Sequence, residues 1–126
     1  MLALVAALLV GCTSQSVAGD AAVACGWEET DEPLVLPAEA TPDQLRQNVE
    51  RAKRRLEAAR RVVEVDDRFG PLVEALDETA QFAVRLRDMS PDEIEDIPVE
   101  DWDFAKYVQF VARDQCEQLA AVVSSE

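Results

Sequence analysis

The chain has 126 residues, with 26 Asp or Glu against 12 Lys or Arg, and its formal net charge is −14. This balance excludes the basic face that nucleic-acid binding requires, and it disfavours direct docking on anionic lipid headgroups. The sequence contains no histidine, which excludes Ser-His and Cys-His catalysis and any histidine metal ligand. The length suits a single domain.

The N-terminal residues form an apolar run without charge at residues 2–10, which closes on Leu9-Val10-Gly11-Cys12. The run has the length of a signal-peptide core and is far too short to span a bilayer as a helix. This layout resembles the signal peptide and lipobox of a bacterial lipoprotein. The resemblance implies that Cys12 carries a diacylglyceryl group and that the leader is cut before it. The alternative is a buried apolar helix with an incidental cysteine.

The resemblance also implies where the protein is held. Two acyl chains, palmitate or similar, anchor a protein stably, whereas a single chain holds it only marginally. We therefore expect a protein on the extracytoplasmic face of a bacterial cell membrane, in the periplasm or at the cell surface. The chain then divides into a signal peptide at residues 1–11, a lipidated tether and extended strap at residues 12–40, and a helical domain at residues 41–126.

The predicted tether and strap differ in composition. Residues 13–24 are small and polar and show no helical period, which favours a tether. Residues 33–37 form an apolar stretch with Pro33 and Pro37 at its ends, and proline is excluded from a helix interior. We expect this stretch to lie extended on the helices. The alternative is a disordered linker.

Cys25 and Cys116 remain once Cys12 is assigned to the lipid. In an exported protein, two cysteines most simply form a disulfide. The bond would close a loop of about ninety residues, worth roughly 4 kcal/mol in the chain-entropy model. Two free thiols, or a link to a partner, are the alternatives.

The helical domain begins at Thr41-Pro42-Asp43-Gln44, which has the pattern of a capping box with proline at the first helical position. We predict that this helix ends near residues 66–67, because Gly70-Pro71 stops it. Its apolar residues alternate in steps of four and three and form one seam: Leu45, Val49, Ala52, Leu56, Ala59 and Val63.

Two further long helices follow. One begins at Pro71 and ends near Met89, with the helical period Leu72, Leu76, Ala80, Ala83 and Leu86, flanked by Val73 and Phe82. Ser90-Pro91-Asp92-Glu93 then starts a short helical turn that Pro98 closes. The last helix begins between residues 100 and 102 and ends near Val123. Its inward set is wider: Phe104, Ala105, Tyr107, Val108, Val111, Ala112, Cys116, Leu119 and Ala120.

Short connections between these helices predict antiparallel neighbours. The fold class is therefore all-α, a small three-helix bundle with an N-terminal extended tether and strap.

Three groups of residues are candidates for binding. An acidic run at residues 92–103 suits calcium or a basic partner, but its spacing does not match an EF-hand, and acids at helix N-termini are the favoured interpretation. A basic helix face that includes Arg54, Arg55 and Arg61 could dock an acidic partner, or be neutralised within the chain. Trp27 and Trp102 could stack a ligand, or anchor the strap and core.

No catalytic set, metal site or cofactor motif is present in the sequence. We expect a binding or scaffold module of the cell envelope without enzymatic activity, whose partners are the bilayer, through acylated Cys12, and an envelope protein or cell-wall polymer. One alternative is a receptor for a small ligand held between strap and helices. Another is a phage- or plasmid-encoded lipoprotein that excludes competing DNA.

Overall fold

The structure is a computed structural model that describes residues 17–29 and 37–125. The predicted signal peptide, Cys12 and residues 13–16 of the tether lie outside the described residues, as do residues 30–36 of the strap. The described residues form helices and turns and no strand, which confirms the all-α class.

Five helices are present in the described part of the chain. The first, α1, covers the helical residues 17–25. The others are α2 (Pro42–Val65), α3 (Gly70–Arg87), α4 (Pro91–Glu95) and α5 (Val99–Ser124). Two short 3₁₀ turns, Pro37–Glu39 and Asp67–Phe69, precede α2 and α3. The long helices predicted from the sequence correspond to α2, α3 and α5.

The N-termini of α2 and α4 are fixed by capping boxes, as the sequence predicts. Thr41 accepts a hydrogen bond from the backbone of Gln44, and the Gln44 side chain accepts one from the backbone of Thr41. Ser90 and Glu93 make the same reciprocal pair at α4. Each box satisfies two backbone N–H groups that the first helical turn leaves unpaired.

Helix α1 lies where the sequence predicted an extended tether, so that prediction is wrong for residues 17–25. Val17, Ala21 and Ala24 are spaced by four and three residues and are buried. This spacing is a helical period, but its side chains are small, and small residues are also typical of a flexible linker. Because alanine has almost no side chain, it lets α1 approach the other helices closely.

Gly26 ends α1 with a φ of +66°, in the left-handed region that glycine adopts without strain. The N–H of Gly26 donates to the carbonyl of Val23, and the N–H of Trp27 donates to the carbonyl of Ala22. This pair of bonds is a Schellman motif. The Arg55 guanidinium occupies the space that a β-carbon at position 26 would need.

Ion pairs and the cysteine pair help to hold α1 and the turn after it against the rest of the domain. Asp20 pairs with Arg61, and Glu29 pairs with Arg55, so α1 runs antiparallel to α2. The Cys25 and Cys116 sulfur atoms lie 2.14 Å apart, at disulfide distance, with their Cα atoms 5.8 Å apart. The structure therefore agrees with the predicted all-α class. It differs from a three-helix bundle with a strap, because α1 is an additional packed helix.

The core has two parts. The larger cluster joins α1, α2, α3 and α5, and its fully buried side chains include Val62, Leu72 and Leu119. The smaller cluster, at the α4 end, contains Leu45, Leu86, Ile94 and Ile97, with Trp102 packed against it. Helix α3 packs on both α2 and α5, which leaves one face of α5 toward solvent.

Candidate partner-binding surface

The solvent face of α5 carries three large aromatic side chains at three-residue intervals. Phe104 is 53% exposed, Tyr107 is 63% exposed and Phe110 is 66% exposed. We name these three residues the aromatic stripe. Residues three apart on a helix are surface neighbours, so the three rings form one continuous patch. The sequence has four Phe, two Trp and one Tyr, so nearly half of its aromatic residues lie on this patch.

The structure corrects the prediction for two of these residues. Phe104 and Tyr107 were placed in the inward set of the last helix, but both side chains face solvent. Val108 and Leu119 of the same set are buried, and Ala112 and Cys116 are packed against the core. The apolar set of α5 spans more of the helix circumference than its neighbours cover, so part of it remains exposed.

A hollow of about 420 Å³ lies beside the aromatic stripe, between α3 and α5. We name it the acidic hollow. Its carboxylates all come from α3, and its apolar wall comes mainly from α5. None of the described residues that line it is Lys or Arg: they are Pro71, Glu74, Ala75, Asp77, Glu78, Phe104, Tyr107, Val108 and Val111.

A second hollow, of about 370 Å³, adjoins the first along the same helix pair. Glu78, Phe104 and Val108 line both hollows. At the far end of the second hollow, the Nη1 atom of Arg85 donates to Asp101 at 2.8 Å and links α3 to α5. The stripe is therefore flanked by recesses at Phe104 and Tyr107, as a surface that receives side chains of a partner would be, whereas Phe110 lines neither hollow.

A third cavity, of about 540 Å³, lies beside the disulfide, and we name it the disulfide cavity. Its lining joins α1, α2, α3 and α5 and includes both cysteines. Trp27 is 43% exposed at its edge. Arg55, Arg113 and Glu117 supply its charged groups. An aromatic ring beside two guanidinium groups can bind a planar anion.

Two of the three predicted partner-binding arginines are engaged within the chain. The Nε atom of Arg61 donates to Asp20 at 2.9 Å, and this hydrogen bond raises the pKa of the Arg61 guanidinium. Arg55 pairs with Glu29, and its Nε atom is buried without a hydrogen-bond partner among the described residues. Arg54 is exposed on the solvent side of α2. Part of the basic face of α2 is therefore used to hold α1 and the turn after it, and Arg54 is left exposed.

The two tryptophans do not share a site. Trp27 lies at the disulfide cavity, two residues after Cys25. Trp102 packs edge-on against Phe82, with ring centroids 5.3 Å apart and an interplanar angle of 81°. Residues 102 and 116 are separated along α5 by about 21 Å at the rise of an α-helix. The expected ligand site that combines both rings is therefore not formed.

The acidic run at residues 92–103 is used in part by the helices themselves. Glu93 completes the cap of α4, and Asp101 pairs with Arg85. Within residues 17–29 and 37–125, no group of three or more Cys, Asp or Glu is placed to hold a metal ion.

The sequence interpretation missed Phe110 and the outward orientation of its two neighbours. The available signal was the width of the apolar set on the last helix, which exceeds the roughly 100° stripe that one packing face requires. Among the described residues, no helix is long and apolar enough to cross a membrane. Comparison with protein-family models, with curated proteins and with solved structures found no match to this chain.

Proposed function

We propose that the chain is a lipid-anchored binding module of the bacterial cell envelope without catalytic activity, and that its partner is a protein bound at the aromatic stripe. The placement rests on the resemblance of residues 1–12 to a lipoprotein signal peptide with its lipobox cysteine. Binding rests on the exposed rings of α5. Anchoring and binding are separable and are tested separately.

The aromatic stripe is the observation that carries the binding function. Large rings bury more apolar area than other side chains, so leaving three of them in water forgoes stability. Contiguous exposed apolar surface with a polar surround marks interaction sites, and Tyr and Phe are enriched at interface cores. Phe104, Tyr107 and Phe110 lie on one helix and supply contact area, and the hollows beside Phe104 and Tyr107 supply shape.

Anchoring strengthens such a surface. A protein tied to the membrane by Cys12 meets other envelope proteins at a raised effective concentration, so a modest interface is sufficient. The net charge of −14 keeps copies of the chain apart while they share that surface. The proposed protein partner is thus favoured over self-association.

Photo-crosslinking in the bacterium that carries the protein tests the binding function. Benzoylphenylalanine replaces Phe110 in the full chain, and in a control chain it replaces Glu57, which is exposed on α2. We expect a discrete protein adduct from position 110 and none from position 57. No adduct from position 110, or the same adducts from both positions, would contradict the proposal.

The disulfide cavity favours a second candidate function, the receptor for a small ligand. Its volume of about 540 Å³ falls in the range of about 300–1,000 Å³ that is usual for ligand sites. Arg113 and the Trp27 ring suit an anionic aromatic molecule, while Arg55 in the same lining is paired with Glu29.

The emission of Trp27 tests this candidate in a Trp102→Phe background, where Trp27 is the one remaining tryptophan. Anilinonaphthalene sulfonate is a suitable anionic aromatic probe. A saturable change of Trp27 emission that an added Arg113→Ala substitution removes supports the candidate. A linear response, or one unaffected by that substitution, excludes it.

A further inference from the structure

We infer that the partner segment bound by the aromatic stripe is a basic amphipathic peptide, whose apolar side chains contact the rings and whose Lys or Arg side chains enter the acidic hollow. This inference rests on the proposed binding function and specifies the chemistry of the partner. The occupant of the solvent face of α5 is thus a segment of another protein.

The charges beside the stripe are arranged asymmetrically. Glu74, Asp77 and Glu78 of α3 line the hollow next to Phe104 and Tyr107. On α5 itself, residues 100, 107 and 114 are spaced by seven and lie on one line of the helix, and residues 100 and 114 are Glu and Asp. The rings are therefore bordered by carboxylates along the line of Tyr107 and on the α3 side.

The basic residues of this part of α5 lie on the other side of the rings. At about 100° per residue, Lys106 and Arg113 are rotated away from Tyr107 in the direction opposite to Phe104 and Val111, which line the acidic hollow. Arg113 lines the disulfide cavity instead. A peptide seated over Phe104 and Tyr107 beside α3 therefore meets negative charge, whereas Lys106 and Arg113 border the stripe only at Phe110.

Aromatic and acidic groups together select a cationic side chain that also carries apolar surface. A Lys or Arg placed over Phe104 or Tyr107 gains a cation–π interaction, and its methylene stem packs on the ring while its charge reaches Glu74 or Glu78. A small inorganic cation would interact with the carboxylates alone. An acidic peptide would be repelled by them, and a neutral peptide would make no charge contacts. The volume of about 420 Å³ admits side chains of a partner.

A second copy of the chain fits this surface poorly. Two arginines of the basic side of α2, Arg55 and Arg61, already pair with Glu29 and Asp20 and are not free to approach the carboxylates of a second copy. Each copy also carries a net charge of −14, so association of two copies must overcome their mutual repulsion.

The test uses the full chain purified from bacterial membranes into nanodiscs of zwitterionic lipid. The probe is a fluorescent octapeptide of alternating Lys and Leu, and an alternating Glu and Leu octapeptide is the charge-reversed probe. Binding is measured by anisotropy at two salt concentrations, and the signal of empty nanodiscs is subtracted. One variant, Glu74→Gln/Asp77→Asn/Glu78→Gln, neutralises the hollow. A second, Phe104→Ala/Tyr107→Ala, removes two rings.

The matched control is Glu50→Gln/Glu57→Gln/Glu64→Gln, which removes the same charge from exposed positions of α2. We expect the parent chain to bind the Lys/Leu peptide saturably and less tightly with added salt. The affinity should fall at least tenfold in both test variants and less than threefold in the control. Circular dichroism verifies that each variant remains helical. Absence of saturable binding, or equal weakening in the control, overturns the inference.

Two further results separate this inference from the function on which it rests. If position 110 forms its protein adduct but the Lys/Leu peptide does not bind, the basic chemistry of the partner is wrong and the binding module stands. If neither is observed, both fall. Concentration-dependent dimers that Phe104→Ala/Tyr107→Ala abolishes, seen by sedimentation, would assign the face to a second copy and overturn the inference.

Discussion

The Sγ atoms of Cys25 and Cys116 lie 2.14 Å apart, and this link joins the last residue of α1 to α5 across a sequence separation of 91. The closed loop contains α2, α3 and α4. A crosslink over such a long loop restricts the unfolded chain strongly, and we expect Cys25→Ser/Cys116→Ser to lower the free energy of unfolding by about 4 kcal/mol.

Urea unfolding followed by circular dichroism measures this loss. Reduction of the unmodified chain should produce the same shift, and reductant should leave the double variant unchanged. A double variant as stable as the parent would show that the link does not constrain the fold.

Packing of α1 against the core makes Ala21 a sensitive position. Its side chain is fully buried, so a larger residue must displace its neighbours. We expect Ala21→Leu to lower the free energy of unfolding by about 1–3 kcal/mol. Val23→Leu on the exposed side of the same helix should change it by less than about 0.5 kcal/mol. Equal and small effects would indicate that residues 17–25 are an undocked tether after all.

Truncation of a core side chain should lower the free energy of unfolding far more than truncation of a ring in the aromatic stripe. Leu72 is fully buried in the main cluster, so Leu72→Ala should cost about 2–5 kcal/mol. Tyr107→Ala and Phe110→Ala remove side chains that are mostly in water, and each should cost less than about 0.5 kcal/mol. Thermal and urea unfolding measure all three variants. A cost above about 2 kcal/mol for either aromatic residue would assign that ring to the core and contradict its proposed role in binding.

We expect Asp66, which follows α2 as its C-cap, to contribute to the dependence of stability on pH in acid. Its carboxylate accepts hydrogen bonds from the side chain and backbone of Arg68, and the side-chain bond is the main cause of its lowered pKa. A carboxyl whose pKa is lower in the folded chain stabilises the fold above its unfolded pKa of about 3.9. This contribution is lost as the pH falls through the lower folded value.

The Asp66→Asn variant should therefore be less stable than the parent at pH 6, and the difference should shrink as the pH falls below about 4. Asp67→Asn removes the same charge from the adjacent residue and is the matched control. Urea midpoints across this pH range measure the difference. A gap between parent and Asp66→Asn that stays constant with pH would contradict the assignment.

The parts of the fold that the sequence predicted are those set by local chemistry. The capping boxes at Thr41 and Ser90, and the break at Gly70-Pro71, act within four residues of chain and fixed the helix bounds closely. Helix α1 carried a local signal as well, since Gly26 stands at the position where a Schellman motif needs glycine. The small residues before it concealed the period, because alanine is equally common in linkers and in close helix contacts.

The candidate binding surface depends on contacts that composition and period do not encode. Arg55 and Arg61 were candidates for binding another molecule. Their ion pairs within the chain could not be predicted, because Glu29 and Asp20 lie 26 and 41 residues away in the sequence. The orientation of α5 was missed for a related reason. Periodicity indicates which residues share an apolar face, but the number of neighbouring helices decides how much of that face is buried.

The proposed anchoring of the protein in the envelope is tested most directly by the intact mass of the full chain expressed in bacteria, compared with that of the Cys12→Ala variant. We predict loss of residues 1–11 and a gain of the diacylglyceryl mass, both absent from the variant. An unmodified Cys12 with its leader retained would contradict the lipoprotein assignment, and with it the proposed place and function of the protein.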